Sequence, residues 1–396
     1  MATFSIRFLG CKVSHVDARA LRERLLADGH TEADRGAEIA VVNTCCVTHE
    51  AVRKSRHAAS RASRTHARVY VTGCGANLDA DGFAGLPENV VVVARRSEET
   101  PEFVARDVGA IGCVHADARL DRIRAFVKVQ DGCSFSCAFC VIPLVRGASR
   151  SRAAEAVLRE VRKRVEQGHR EVVLTGINLG CYRDREAGYG LARLVREVGA
   201  TPGLARLRLS SIEVNHVSRE LVQALRETSN VARHLHVPLQ SGDDAVLRAM
   251  GRRYDSATFL RRIASLHDFN LTSDVIVGFP GEDEAAFRRT LATVAAAGIT
   301  KVHVFPYSPR PGTATAAADT VPPAVKRDRS ERLRELSRVS SLARWCEKVG
   351  REDVVLVDRP GRGYGNDYSP WLVERPIGKL VRVRGAAVTE EGILAA

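Results

Sequence analysis

No stretch of this sequence approaches the roughly 18 to 20 consecutive apolar residues that a membrane-crossing helix needs. The opening, MATFSIRFLGCKVS, lacks a charged segment followed by an apolar one and a cleavage site. A cytoplasmic protein with no membrane partner is therefore the expectation. No C-x2-C pair is mirrored by a second one, so a zinc ribbon is a poor match. Acidic residues are in short supply: 47 Asp and Glu stand against 60 Lys and Arg, a net charge of +13. Such a surplus favours a polyanionic partner, with nucleic acid ahead of an anionic membrane. The 396 residues suffice for two or three domains. Ten cysteines in a reducing compartment read as ligands, catalytic groups or buried thiols rather than as disulfides.

Three of those cysteines share one kind of position. FSIRFLG reads as a strand running into Cys11, EIAVVNT as a strand running into Cys45, and RVYVTG as a strand running into Cys74. Helical patterns separate them, VDARALRERLLADG and the basic EAVRKSRHAASRASR. Intervals of 34 and 29 residues match strand-helix units, which build a parallel sheet with right-handed crossovers. Sites in such sheets gather at the carboxyl ends of the strands, so Cys11, Cys45 and Cys74 are predicted to converge there. Three thiolates suit zinc with an outside fourth ligand, or three irons of a [4Fe–4S] cluster. Cys46 follows Cys45 directly, is out of register with the other two strand ends, and is expected to point elsewhere.

A second set, DGCSFSCAFCVIP, places Cys133, Cys137 and Cys140 in a C-x3-C-x2-C pattern with no fourth Cys or His nearby. Three close thiolates suit a [4Fe–4S] cluster with one iron left open. This spacing, just after a strand, resembles the radical S-adenosylmethionine (SAM) superfamily. The resemblance implies that the open iron binds the methionyl end of SAM, that a 5′-deoxyadenosyl radical is generated there, and that Phe139 lies against the adenine. Strand candidates at 124–130, 171–176, 206–211, 234–240, 273–279 and 301–307 alternate with helical patterns. They suggest an incomplete (β/α)6 barrel with its site at the carboxyl strand ends. Those ends carry Gly176 and Asn178, Ser211 and Glu213, His236 and Gln240, and Asp274. As a set they are candidates for contact with SAM and substrate, with Glu213 and Gln240 favoured for SAM.

Both cysteine sets together resemble the methylthiotransferases. The matching stretches run in order along nearly the whole chain: LGCKVS, VNTCCVT, VTGC, DGCSFSCAFCVIP, LTGINLG, LSSIE, PLQSG, DVIVGFPGE and HVFPYSPRPGT. The resemblance implies an α/β protein of three parts: an N-terminal parallel α/β domain at 1–112 with an auxiliary cluster, a partial (β/α)6 radical SAM barrel at 119–346, and a short TRAM-like β domain at 351–396. LGCKV and RAFVKVQDGC are most similar to the enzymes acting on N6-threonylcarbamoyladenosine at position 37 of tRNA. The implied reaction adds a methylthio group at C2 of that base. It uses two [4Fe–4S] clusters, SAM and an electron donor protein, and the N-terminal cluster provides the sulfur. Two alternatives remain, a methylthiotransferase acting on a ribosomal protein side chain and a non-catalytic zinc-bound RNA-binding protein.

Ser14, Cys46, Gly75 and Asn77 depart from the usual pattern of that subfamily. They flank the ligand positions and remove none. The tail keeps a strand pattern and a GYGNDY segment like the TRAM domain, but its charges nearly cancel. The basic helices are the better RNA surface, with Arg53, Lys54 and Arg56 as candidate phosphate contacts. Cys46, Cys113, Cys181 and Cys346 are expected to be unligated.

Overall fold

The computed structural model describes residues 2–109 and 123–396. Cys113 lies outside the described residues.

The N-terminal part is a parallel sheet of five strands, β1 (Thr3–Phe8), β2 (Thr31–Glu32), β3 (Ile39–Thr44), β4 (Arg68–Gly73) and β5 (Val90–Val92), in the order β2-β1-β3-β4-β5. The central strand β3 is buried at every position because both faces are covered. On one face Ala40 and Val42 meet Ala58 and Ala59 of helix α2 (His49–Ser63). On the other, Ile39 and Val41 meet Leu21 and Leu25 of α1 (Lys12–Ala27). Register then places the strand ends side by side: Phe8 pairs with Asn43, Asn43 with Thr72, and Thr44 with Gly73. Cys45 and Cys74 are thus the next residues of paired strands. Cys11 caps α1, and Cys74 opens the short helix α3 (Cys74–Leu78). A helix, α4 (Thr100–Val108), completes this part.

Six parallel strands follow in sequential order: β6 (Arg124–Lys128), β7 (Glu171–Thr175), β8 (Arg206–Leu209), β9 (His234–His236), β10 (Asn270–Val277) and β11 (Ile299–Pro306). Single parallel bridges, Leu207 to Val231 and Ser211 to His236, join β8 to β9. Outward residues such as Val127, Val172, Leu174 and Leu207 form the main core with helices including α6 (Ala154–Glu166). The alternation of strands turns Phe126, Val173 and Arg208 to the opposite face, toward the lumen. All six expected strands are present at these places, each ending a residue or more earlier at the carboxyl end than its apolar run suggests.

Helix α7 (Pro323–Cys346) leads to a closed barrel of β12 (Glu352–Arg359), β13 (Arg362–Tyr364), β14 (Pro370–Leu372), β15 (Leu380–Thr389) and β16 (Gly392–Ala395), in the order β12-β13-β14-β16-β15. Its core is Trp371 with Val355, Val357 and Ile393, all fully buried. The GYGNDY segment closes the amino-terminal floor of the six-stranded barrel. Arg208 donates to the Gly365 carbonyl at 2.6 Å, and Asn270 donates to the Asp367 carbonyl at 2.8 Å. Beneath it, the buried Glu171 accepts from Arg208 at 2.8 Å and Arg206 at 3.2 Å. No described helix is long and apolar enough to cross a membrane.

Candidate functional site

Cys11, Cys45 and Cys74 converge as their strand ends require. The Cys45 thiol is raised by burial and feels both Cys74 and Cys11. Cys46 does not point away, contrary to the expectation from register. It is fully buried beside Cys74, Val141 and Val145. The neighbouring Cys74 thiol and burial push the Cys46 thiol up, while Cys46 and Arg146 hold Cys74 below the usual thiol range. The strand ends at Thr44, so its alternation no longer governs Cys46, which packs with Cys74 and Leu78 of α3. Cys46 also offers its carbonyl to the buried Arg310 at 3.4 Å.

Cys133, Cys137 and Cys140 lie half-buried on the loop after β6. Gly132 makes that loop possible. Its φ of +67° lies in the left-handed region, and a Cβ there would collide with the Ala148 carbonyl. The Cys133 amide bonds to the Gly147 carbonyl at 3.0 Å, and the Cys140 amide to the Cys137 carbonyl at 3.0 Å. Burial pushes the Cys140 thiol up to about 11 and also raises Cys133. N–H groups face the sulfurs: Phe135 N is 3.4 Å from Cys133 Sγ, and Arg252 Nη1 is 3.4 Å from Cys137 Sγ. Each trio offers three converging sulfurs with N–H donors around them, a donor set that fits an iron-sulfur cluster.

The polar strand-end residues surround this loop. Asn178 N donates to Gln130 Oε1 at 2.8 Å, and the buried Asn178 Oδ1 has no partner among the described residues. Gly176 sits against Gln130, where a side chain would not fit. Glu213 is buried and accepts from Asn215 N at 3.0 Å and from Arg252 at 3.4 Å. Gln240 holds φ at +69°, a conformation that costs a non-glycine residue energy and clusters at functional sites. Ser211 bridges to His236, whose Nε2 is 3.2 Å from Asp274 Oδ2. Phe139 packs on Phe279, with ring centroids 6.4 Å apart. An orphaned amide oxygen beside Cys133 and a strained glutamine at the mouth fit a polar cofactor bound there.

Arg53 and Lys54 are exposed and both pair with Glu50, at 2.8 and 3.5 Å, while Arg56 pairs with Asp79 at 3.1 Å. Cys181 is 3.3 Å from His216 Nε2, and Cys346 ends α7 in solvent.

Buried arginines are among the residues that the sequence does not single out. Helix α5 (Ile142–Arg146) follows Cys140 directly and packs on α3. Its Arg146 donates from Nε to Cys74 Sγ at 3.1 Å, from Nη1 to Asp131 at 3.0 Å and from Nη2 to Asp17 at 2.9 Å. Lys128 pairs with the same two aspartates. One guanidinium thus joins the first cysteine set to the residue two places before Cys133. Arg252 ties Cys137 to Glu213 in the same way. In the sequence both arginines stand among other arginines, with nothing to mark them.

Residues 3–94 match the Uncharacterized protein family UPF0004, and residues 127–294 match the Radical SAM superfamily. The chain is 33% identical over its whole length to the threonylcarbamoyladenosine tRNA methylthiotransferase of Thermotoga maritima, covering 96% of that protein. It is 36% identical to the protein of that function in Bacillus subtilis, over 97% of this chain and 94% of the relative. It is also 34% identical to a tRNA-2-methylthio-N6-dimethylallyladenosine synthase of Cereibacter sphaeroides, over 96% of this chain and 94% of the relative. Among solved structures, the radical SAM methyltransferase TsrM of Kitasatospora setae, with cobalamin and a [4Fe–4S] cluster bound, superposes with a TM-score of 0.59 at 14% identity, covering 80% of this chain and 77% of that one. That likeness concerns the fold.

Proposed function

The chain belongs to the tRNA methylthiotransferases of the radical SAM superfamily, and from that premise we propose that it adds a methylthio group to C2 of N6-threonylcarbamoyladenosine at position 37 of tRNA. The observation that carries this reading is the convergence of two cysteine trios inside a chain that aligns end to end with such enzymes. Relatives named for dimethylallyladenosine are nearly as similar, so overall identity alone does not choose the base.

Cys133, Cys137 and Cys140 would hold one [4Fe–4S] cluster and Cys11, Cys45 and Cys74 the other. With SAM, the first would supply the radical that takes hydrogen from C2, and the second the sulfur. The protein's own part is placement. Asn178, Glu213 and Gln240 would orient SAM through polar contacts, with Glu213 itself fixed by Arg252 and Asn215. Phe139 would offer an aromatic edge to the adenine. Arg252 and Arg146 would offset the negative charge of thiolate ligands in a low-dielectric setting, where such contacts are strong. An electron donor protein would deliver reducing equivalents, and the reaction would run in the cytoplasm. The basic surplus would hold the tRNA, with Arg53, Lys54 and Arg56 among the phosphate contacts.

Nucleoside analysis of tRNA from cells with and without the gene tests this reading. The methylthio form of threonylcarbamoyladenosine should vanish with the gene and its unthiolated precursor accumulate. Loss of methylthio-dimethylallyladenosine instead would move the chain to the other substrate.

A further inference from the structure

The lumen of the six-stranded barrel holds a polar cluster below its mouth. His236 Nε2 lies 3.2 Å from Asp274 Oδ2, and its Nδ1 lies 3.0 Å from Thr272 Oγ1. His303 on β11 is the register partner of Asp274, and its ring centroid is 5.6 Å from that of His236. His234 reaches the same Thr272 hydroxyl at 2.9 Å.

The opposite wall comes from the N-terminal part. Helix α1 lies over the inner face of β6 and β7, where Val16 packs with Phe126 and Val173. Lys12 is one turn earlier on the same helix face, so its side chain runs toward the same space. There it lies within electrostatic reach of His234, His303, Arg124 and Arg208. Arg124 is engaged by Asp358 and Arg208 by Glu171. Lys12 is exposed and has no ion pair among the described residues.

Chemistry decides what such a space accepts. The donor atoms of His236, Asp274 and His303 lie within 4.8 Å of one another, a spacing that would also suit a divalent cation. With Arg124 and Arg208 already paired, the ammonium of Lys12 is the charge that opposes a cation there and favours an anion. An apolar dimethylallyl group would strip water from these charges and imidazoles without replacing a hydrogen bond, which is costly. A threonylcarbamoyl group carries a carboxylate and a hydroxyl.

Resting on the proposed function, we propose that this lumen is the pocket for the threonylcarbamoyl substituent, with Lys12 and His303 binding its carboxylate and Asp274, held by His236, accepting from its hydroxyl. Lys12 is then a specificity-determining residue, and the charge of the substituent is what it reads.

The test measures binding of anticodon stem-loops to the reconstituted full chain at fixed salt. One loop carries threonylcarbamoyladenosine, a second its uncharged carboxamide analogue, and a third dimethylallyladenosine. The native chain should prefer the carboxylate loop to the carboxamide by about tenfold, the worth of one charged hydrogen bond. Lys12→Met should bind the two alike, and His303→Leu should lose part of the preference. Visible absorbance checks that Lys12→Met keeps its clusters. If it does not, His303→Leu decides: a preference reduced at least about threefold supports the pocket, and an unchanged one overturns it. Equal binding of the two loops by the native chain also overturns it, as does bound metal beyond cluster iron that disappears in His303→Leu. The functional reading fails separately, if the native chain methylthiolates the dimethylallyl loop and leaves the threonylcarbamoyl loop untouched.

Discussion

The Nε of Arg146 lies 3.1 Å from the Sγ of Cys74, while the same guanidinium bonds Asp131 and Asp17. It links the first cysteine set to the segment that carries the second, and it is buried. Removing it would leave buried carboxylates short of a partner. Arg146→Met should therefore lower the unfolding free energy by about 3 kcal/mol, with Lys128 limiting the loss. Arg146→Lys should fall between. Loss of a charged N–H donor to a ligand sulfur should also shift the auxiliary cluster to a more negative reduction potential, leaving the barrel cluster in place. Redox titration followed by electron paramagnetic resonance checks this, and an unmoved auxiliary potential would count against the contact.

Acid should weaken the same network. Burial acts against ionised Asp131, but Arg146 and Lys128 outweigh it and hold the carboxyl well below its usual range. Glu171 behaves likewise, buried yet held down by Arg208, Arg206 and Arg124. A carboxyl with a depressed folded pKa contributes stability above its unfolded pKa, about 4, and loses it as pH falls through the folded value. Urea unfolding of the metal-free chain should thus show stability falling from about pH 5 downward, with a shallower fall in Asp131→Asn. Stability that stays level down to about pH 3 would contradict this.

Binding of tRNA should weaken steeply with salt, because Lys and Arg contacts to phosphate release counterions. Between about 50 and 200 mM salt the affinity should drop at least about tenfold. The pairs of Arg53 with Glu50 and Arg56 with Asp79 are exposed and inexpensive to break, so phosphate can replace those carboxylates. The double change Arg53→Gln and Arg56→Gln should reduce the slope of the salt plot, and an unchanged slope would remove this helix from the RNA surface.

The adjacent cysteines should separate cleanly. Thr44 pairs with Gly73, so Cys45 is the residue in line with Cys74. Cys45→Ala should lose the auxiliary iron, and Cys46→Ala should keep it, since Cys46 stands outside the register that aligns Cys45 with Cys74. Iron content and visible absorbance of the two purified variants decide this. Retention in Cys45→Ala with loss in Cys46→Ala would reverse the assignment.

Much of this arrangement was readable in the sequence because it rests on local periodicity. A strand that ends at a cysteine looks the same whether or not its partner strand is known. Strand ends alone therefore place Cys11, Cys45 and Cys74 on one edge of the sheet. The C-x3-C-x2-C loop is legible for the same reason. Arg146, Arg252 and His303 were not readable, since their roles arise from contacts between distant elements. Arg146 reaches back 72 residues to Cys74, and Arg252 reaches back 115 residues to Cys137. In a chain with 60 Lys and Arg, type alone does not single out either arginine. Cys46 misled because register describes strands, and the chain has already left its strand by that residue.

The central claim is that the two cysteine sets divide the work, one for SAM cleavage and one for sulfur. It is tested most directly by two triple alanine variants assayed with dithionite, SAM and tRNA. In each, 5′-deoxyadenosine is measured by chromatography beside nucleoside analysis of the tRNA. Changing Cys133, Cys137 and Cys140 should abolish both 5′-deoxyadenosine and methylthiolated product. Changing Cys11, Cys45 and Cys74 should abolish the product and leave reductive SAM cleavage measurable. Methylthiolated tRNA from a folded N-terminal variant would contradict the account, as would a folded N-terminal variant that keeps its barrel cluster and cannot cleave SAM.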